Sequence, residues 1–206
     1  MDTWQAIDEE RTALADDLGT LDDGQWESQS LCSQWKVRHV VGHLVAGADV
    51  KMGPFLTGML KSGMNFNRFM CREGLAVGAA PPDELLEQFR KTIGTRRTPP
   101  GAKPEIMLLD LVCHSGDIRR PTGLTRRVPE ATLLTVADTV KGIGFPLHAK
   151  KRIAGLRMSA TDCDWKAGDG PSVEGPLAAL IFVMAGRQAP LEDLSGEGKQ
   201  ALQARL

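Results

Sequence analysis

The sequence predicts a mainly helical protein: a bundle over residues 1–149 followed by a small α+β subdomain over residues 150–206, packed on the bundle. Three observations lead there. Before Lys150, apolar residues recur at i, i+3, i+4 and i+7 in one segment after another, which is the spacing of a buried helix face. The segment 106–123, IMLLDLVCHSGDIRRPTG, is apolar nearly all the way round, as expected of a helix at the centre of a bundle. After Lys150 the period changes: Leu156, Met158 and Ala160 alternate with Arg157, Ser159 and Thr161, the pattern of a strand with one wet face.

In chain order, Trp4, Ile7, Leu14, Leu18 and Leu21 give a first amphipathic helix ending near Gly19. Asp22-Asp23-Gly24 reads as a turn, and Trp26 to Cys32 as an irregular link. Ser33 can cap a second helix whose core stripe is Val37, Val40, Val41, Leu44, Val45 and Ala48. His43 lies beside that stripe, on a neighbouring face of mostly small residues with His39, Ala46, Gly47 and Val50. Residues 52–80 read as the end of the second helix, a bend and part of a third. Pro81-Pro82-Asp83-Glu84 opens a further helix, with proline early and carboxylates in the first turn. Residues 98–104, TPPGAKP, form a loop. The central helix starts at Pro104 and stops near Arg119 and Arg120, before Pro121 and Gly123. Another helix covers 129–141. In the tail, a second short strand runs into a Gly-Asp-Gly hairpin turn at 168–170, and a helix opens at Pro176 and closes at Gly186.

Composition narrows the function classes. The chain of 206 residues carries a net charge of −1, with 25% charged and 42% apolar residues. Its cations are spread rather than massed, which argues against nucleic acid or an anionic membrane as the main partner. The acidic start MDTWQAIDEER lacks an apolar leader, and the longest strongly apolar run, residues 177–185, is too short to span a bilayer. Four cysteines without a CxxC pair favour a reducing cytoplasm over a disulfide framework.

The central helix carries the chemistry. Steps of four and three put Asp110, His114 and Asp117 on one stripe. A carboxylate inside IMLLDLVC is costly to bury without a partner, so the stripe is either a polar network in a core or half of a metal site. A second helix of a bundle can bring His43 alongside. Two imidazoles and a carboxylate suit zinc with an open fourth position, and equally nickel or non-haem iron. Asp117 is then placed to orient an imidazole N–H. Arg119 and Arg120 can clamp a substrate carboxylate. The plainer readings use the same residues: Asp110–His114 as an i,i+4 pair, and the two arginines as cations favouring a helix C-terminus. Cys113 reads as a small core residue and His148 as a surface one. His39 and His43 lack the glutamate of a zincin helix.

Three blocks in order, SLCSQWKVRHVVGHLVAG at 30–47, DLVCHSGDIRRPTGL at 110–124 and TDCDWKAGDGPSVEGPLAALIFVMAGR from 161 with LSGEG after it, carry a resemblance. They resemble the actinobacterial members of the mycothiol-dependent maleylpyruvate isomerase family, within the DinB-like superfamily. That resemblance implies a DinB-like up-and-down four-helix bundle with a small C-terminal α+β extension. It also implies a divalent metal, typically zinc, held by a His of the second helix and by an acidic residue with a His four positions later. Those positions fall on His43, Asp110 and His114. Relatives often have Glu where this chain has Asp110, one methylene shorter. The implied function is a mycothiol-dependent isomerase or thiol S-transferase acting on an electrophilic small molecule. Fold and metal site transfer more readily than substrate does.

Two other classes stay open on the sequence. One is a metal- or ligand-binding regulatory protein of the same fold without turnover; the other is a helical protein in which Asp110–His114 is only a core pair. The broad apolar coverage of the central helix also suits a homodimer, or equally packing by the C-terminal piece.

Overall fold

The computed structural model describes residues 2–48, 50, 52–99 and 101–206; Pro100, within the expected loop at 98–104, and Met1 lie outside the described residues. The chain forms two compact units, Asp2–Arg126 and Arg127–Leu206.

The first unit is built from helices, with one isolated antiparallel bridge between Gln29 and Lys36 among its described residues. Helix α1 spans Thr3–Leu18, capped by the Asp2 carboxylate, which accepts from the Trp4 N–H at 2.9 Å. It buries Ile7, Leu14 and Leu18 on one side. Where the sequence suggests only a turn, Asp22 starts a short helix, α2 (Asp23–Glu27). Its carboxylate accepts from the Gln25 N–H at 2.8 Å while the Gln25 side chain takes the Asp22 N–H at 3.0 Å, a reciprocal cap. Helix α3 is Val37–Ala48, so Ser33 lies outside it. Side-chain bonds fold the intervening segment into a tight turn of its own. The Ser30 hydroxyl donates to the Trp35 carbonyl at 2.6 Å, and the Gln29 amide donates to Cys32 and Trp35 carbonyls at 2.7 and 2.8 Å. Helices α4 (Met52–Lys61) and α5 (Phe66–Val77) follow, the latter capped by Asn65, and then α6 (Pro82–Arg90).

Helix α7 runs Pro104–Thr122 and ends on Gly123 at φ 76°, a left-handed stop that glycine adopts without strain. It continues two residues past Arg120, the expected end, carrying Pro121 inside its last turn. Helices α6 and α7 each pack on both α1 and α3, giving a ring of four. Helix α5 lies on α3, and the approach is close because glycines face each other. A Cβ on Gly42 would fall within contact distance of the Gly78 nitrogen and the Gly74 carbonyl, and one on Gly78 would sit 2.8 Å from the Arg38 carbonyl oxygen. Buried Arg11 ties α1 to the end of α6 by donating to the Thr92 carbonyl at 2.7 Å and the Thr95 hydroxyl at 3.0 Å. No described helix is long and apolar enough to cross a membrane.

The second unit begins earlier than the sequence suggests, after 126 rather than after 149. The reason is the partner of helix α8 (Glu130–Val140): its buried face, Thr132, Val136, Ala137 and Val140, packs on α10 (Leu177–Met184). Between them lie the short helix α9 (Ala149–Arg152) and three strands, β1 (Arg157–Ala160), β2 (Lys166–Ala167) and β3 (Ser172–Gly175), in the order β2-β1-β3. Strand β2 pairs antiparallel with β1, and β3 pairs parallel with it. The Gly-Asp-Gly stretch therefore carries the chain across β1, rather than closing a hairpin between neighbours. A 3-10 turn (Ala189–Asp193) and helix α11 (Lys199–Gln203) complete the unit.

Two outcomes test this packing. Gly42→Ala should cost about 1–3 kcal/mol in chemical denaturation. Gly47→Ala, whose Cβ would meet nothing within 4 Å, should be neutral or stabilise by up to about 1 kcal/mol. The second outcome concerns acid. Asp8 accepts from Arg96 at 2.6 and 3.0 Å and from the Gly94 N–H at 2.9 Å. Burial alone would push its carboxyl up, but those bonds and the neighbouring guanidinium charges outweigh burial and hold it below the ordinary value. A lowered folded pKa adds stability that is complete above about pH 4 and fades as pH falls through the folded value. Asp8→Asn should therefore lower stability at neutral pH and flatten its loss toward acid, read as denaturation midpoints across pH.

Candidate metal centre

Helical geometry places Asp110, His114 and Asp117 within an arc of about 60° on α7. Helix α3 supplies His43, which is buried. Its Nε2 lies 3.4 Å from Asp110 Oδ1 and 3.3 Å from Oδ2. His114 Nε2 lies 3.5 Å from Asp110 Oδ1. The two imidazoles meet edge to face with centroids 4.6 Å apart, and the Trp35 ring lies 5.0 Å from one and 5.9 Å from the other. His43, Asp110 and His114 each offer a donor atom within 4.8 Å of the others. Donors on a tetrahedral zinc-sized ion sit about 3.3–3.6 Å apart, so the residues present fit such an ion. The Asp110 side chain is 35% exposed while those of His43 and His114 are 8% and 12% exposed, so the set opens to solvent on the carboxylate side.

The two histidines are held differently. His114 Nδ1 lies 2.9 Å from Asp117 Oδ2, and the Asp117 side chain is fully enclosed. This fixes the ring with its Nε2 toward Asp110. His43 Nδ1 is buried with no hydrogen-bond partner among the described residues, as is Trp35 Nε1. Ring contact and the glycine at 74 seat His43 instead: a Cβ there would lie 3.2 Å from the His43 Cβ.

Sequence reasoning passed over Cys32. Its thiol donates to Asp117 Oδ2 at 3.2 Å, and its Sγ lies 3.8 Å from His114 Nδ1. The backbone explains why this loop reaches α7. Pro121 has no N–H to give the carbonyl four residues back, that of Asp117; the Leu31 N–H takes that carbonyl at 3.1 Å. Only the presence of Pro121 hinted at a carbonyl in need of a partner.

The arginines separate. Arg119 is nine positions from Asp110, about half a turn round the helix, and its Nε donates to Asp17 of α1 at 2.6 Å in a partly buried pair. That ties α7 to α1 and takes Arg119 away from the imidazoles. Arg120 is exposed. His39 accepts the Lys36 N–H at 3.2 Å, and burial, with the charges of Arg38 and Lys36, lowers its pKa. Cys113 is buried and His148 exposed.

Comparison with known proteins identifies the family and the fold. Two solved structures share the fold: the mycothiol-dependent maleylpyruvate isomerase at 15% identity, and a histidine-to-alanine mutant of it at 14%. Each alignment covers 96% of this chain and 92% of the other, with a TM-score of 0.66. No curated protein sequence gives a significant match. The profile of the mycothiol maleylpyruvate isomerase N-terminal domain matches residues 7–132, more than half of the chain and all of the four-helix ring but the first turn of α1, and on that ground this chain belongs to the mycothiol maleylpyruvate isomerase family.

Proposed function

We propose that the protein is a divalent-metal-binding, mycothiol-dependent enzyme of isomerase or S-transferase type. The observation that carries the proposal is the convergence of His43, Asp110 and His114 from two helices, with donor atoms at ligand spacing and one side open to solvent. His43 Nε2, His114 Nε2 and an Asp110 oxygen would hold the cation. When bound, it supplies the Lewis acidity that keeps a low-molecular-weight thiol ionised near neutral pH, ready to add to an electrophilic carbon.

The remaining residues shape the place where this happens. Asp117 keeps the His114 proton on Nδ1, so that Nε2 presents its lone pair. Trp35 walls both imidazoles and keeps water from their ring faces. Arg119 is committed to Asp17, and the anchor we assign to a substrate carboxylate is Arg120, exposed at the same end of α7. Zinc is the favoured metal for a two-imidazole, one-carboxylate set with an open position; nickel and iron accept the same donors.

Protein purified without added metal should contain close to one divalent ion per chain by elemental analysis, and His43→Ala and His114→Ala should lose it. Undiminished metal in His43→Ala would sink the assignment. Asp117→Asn should weaken metal binding about 10–100-fold while the fold stands. The decisive assay of activity is mycothiol-dependent isomerisation of maleylpyruvate by metal-loaded against metal-stripped protein. Acceleration that returns with the metal supports the enzyme; bound metal without acceleration of isomerisation or thiol conjugation leaves the reading of a non-catalytic binding protein.

A further inference from the structure

The geometry points to a second, thiolate-containing cation site made by Cys32, His114 and Asp117, which shares one imidazole with the first site and excludes it. Cys32 Sγ lies 3.2 Å from Asp117 Oδ2 and 3.8 Å from His114 Nδ1, and that nitrogen lies 2.9 Å from the same carboxylate oxygen. These spacings fall within about half an ångström of the edges of a tetrahedron around an ion with one sulfur ligand. The cysteine is set in place from both directions. Its N–H donates to the Ser30 hydroxyl at 3.1 Å, and its carbonyl accepts from the Gln29 amide at 2.7 Å and from the Trp35 N–H at 2.9 Å. Asp117 is fully enclosed, and Cys32 is partly exposed, so a cation enters past the sulfur.

The two sites differ in chemistry. One sulfur donor makes this set softer than His43–Asp110–His114, so cadmium, or zinc in excess, is the class of ion it selects. They also compete through a single ring. A neutral imidazole has one nitrogen with a free lone pair. Binding at Nδ1 displaces its proton, which is carried on Nε2, facing Asp110, while the Cys32 thiol proton leaves to solvent. With a proton on Nε2, His114 no longer serves the first site. Each cation taken by the cysteine set therefore releases one proton and removes a ligand from the other set.

The test uses the full chain, stripped of metal, and cadmium ion alone. Titration of wild type and of His43→Ala should give an ultraviolet thiolate-to-cadmium band that saturates at one equivalent, stronger in His43→Ala because the competing set is gone. Cys32→Ser should lose the band while its circular dichroism is unchanged. Absence of the band from both wild type and His43→Ala, or its survival in Cys32→Ser, overturns the proposal. Because His43→Ala destroys the first set and spares the second, failure here is distinguishable from failure of the proposed function.

Discussion

The carboxylate of Asp117 has no exposure to water, and the first unit is arranged around satisfying it. An enclosed carboxylate left alone is costly enough to be driven neutral. Here one oxygen receives both the His114 ring and the Cys32 thiol. The main chain of the same residue carries a related debt: proline four residues on leaves its carbonyl without a helical partner, and the Leu31 N–H fills the gap. One residue thus recruits the loop before α3 twice, through its side chain and through its backbone. That loop brings Trp35 against both imidazoles.

Depth for His43 comes from a different source. No hydrogen bond locates its buried Nδ1; the close approach of α5 to α3 does. Glycines at 42, 74 and 78 let two backbones meet where any side chain would intrude, and Gly74 leaves the space that the His43 Cβ fills. The α3–α5 contact is therefore part of the site although it contributes no ligand. Bulk at Gly74 would press on the His43 Cβ and on the His39 carbonyl oxygen, each 3.2 Å from an added Cβ.

How much of this is legible in the sequence differs residue by residue. The stripe of Asp110, His114 and Asp117 follows from helical period alone, because α7 is long and apolar and nothing competes for its register. The same period puts Arg119 on the far side of the helix, so its pairing with Asp17 was open to inference from the wheel, and reading both arginines as one clamp overlooked that. Which helix faces α7 is a tertiary matter; His43 comes into view through the resemblance of whole blocks rather than spacing. Cys32 and Trp35 sit on a loop folded by side-chain to backbone bonds of Gln29 and Ser30, and such folding has no period to detect. The unit boundary escapes for a similar reason. The stripe on α8 is equally suited to any apolar partner, and nothing in it says that α10 is the one chosen.

The unequal support of the two histidines has a consequence for how firmly a cation is held. At His114 the proton already sits on Nδ1 against Asp117, so the ring is ready to ligate through Nε2. At His43 the arrangement without metal is best satisfied when Nε2 carries the proton and donates toward Asp110, 3.3 Å away. Ligation through Nε2 moves that proton to Nδ1, which is buried and has no acceptor among the described residues. A buried donor without a partner costs about 1–3 kcal/mol, so part of the affinity won by the metal is returned at this ring. His114 would then be the fixed pivot and His43 the yielding ligand. On the proposed reading, a centre with one rigid and one reluctant imidazole would keep its cation exchangeable, and that reluctance is what would let a softer, sulfur-containing set beside it compete.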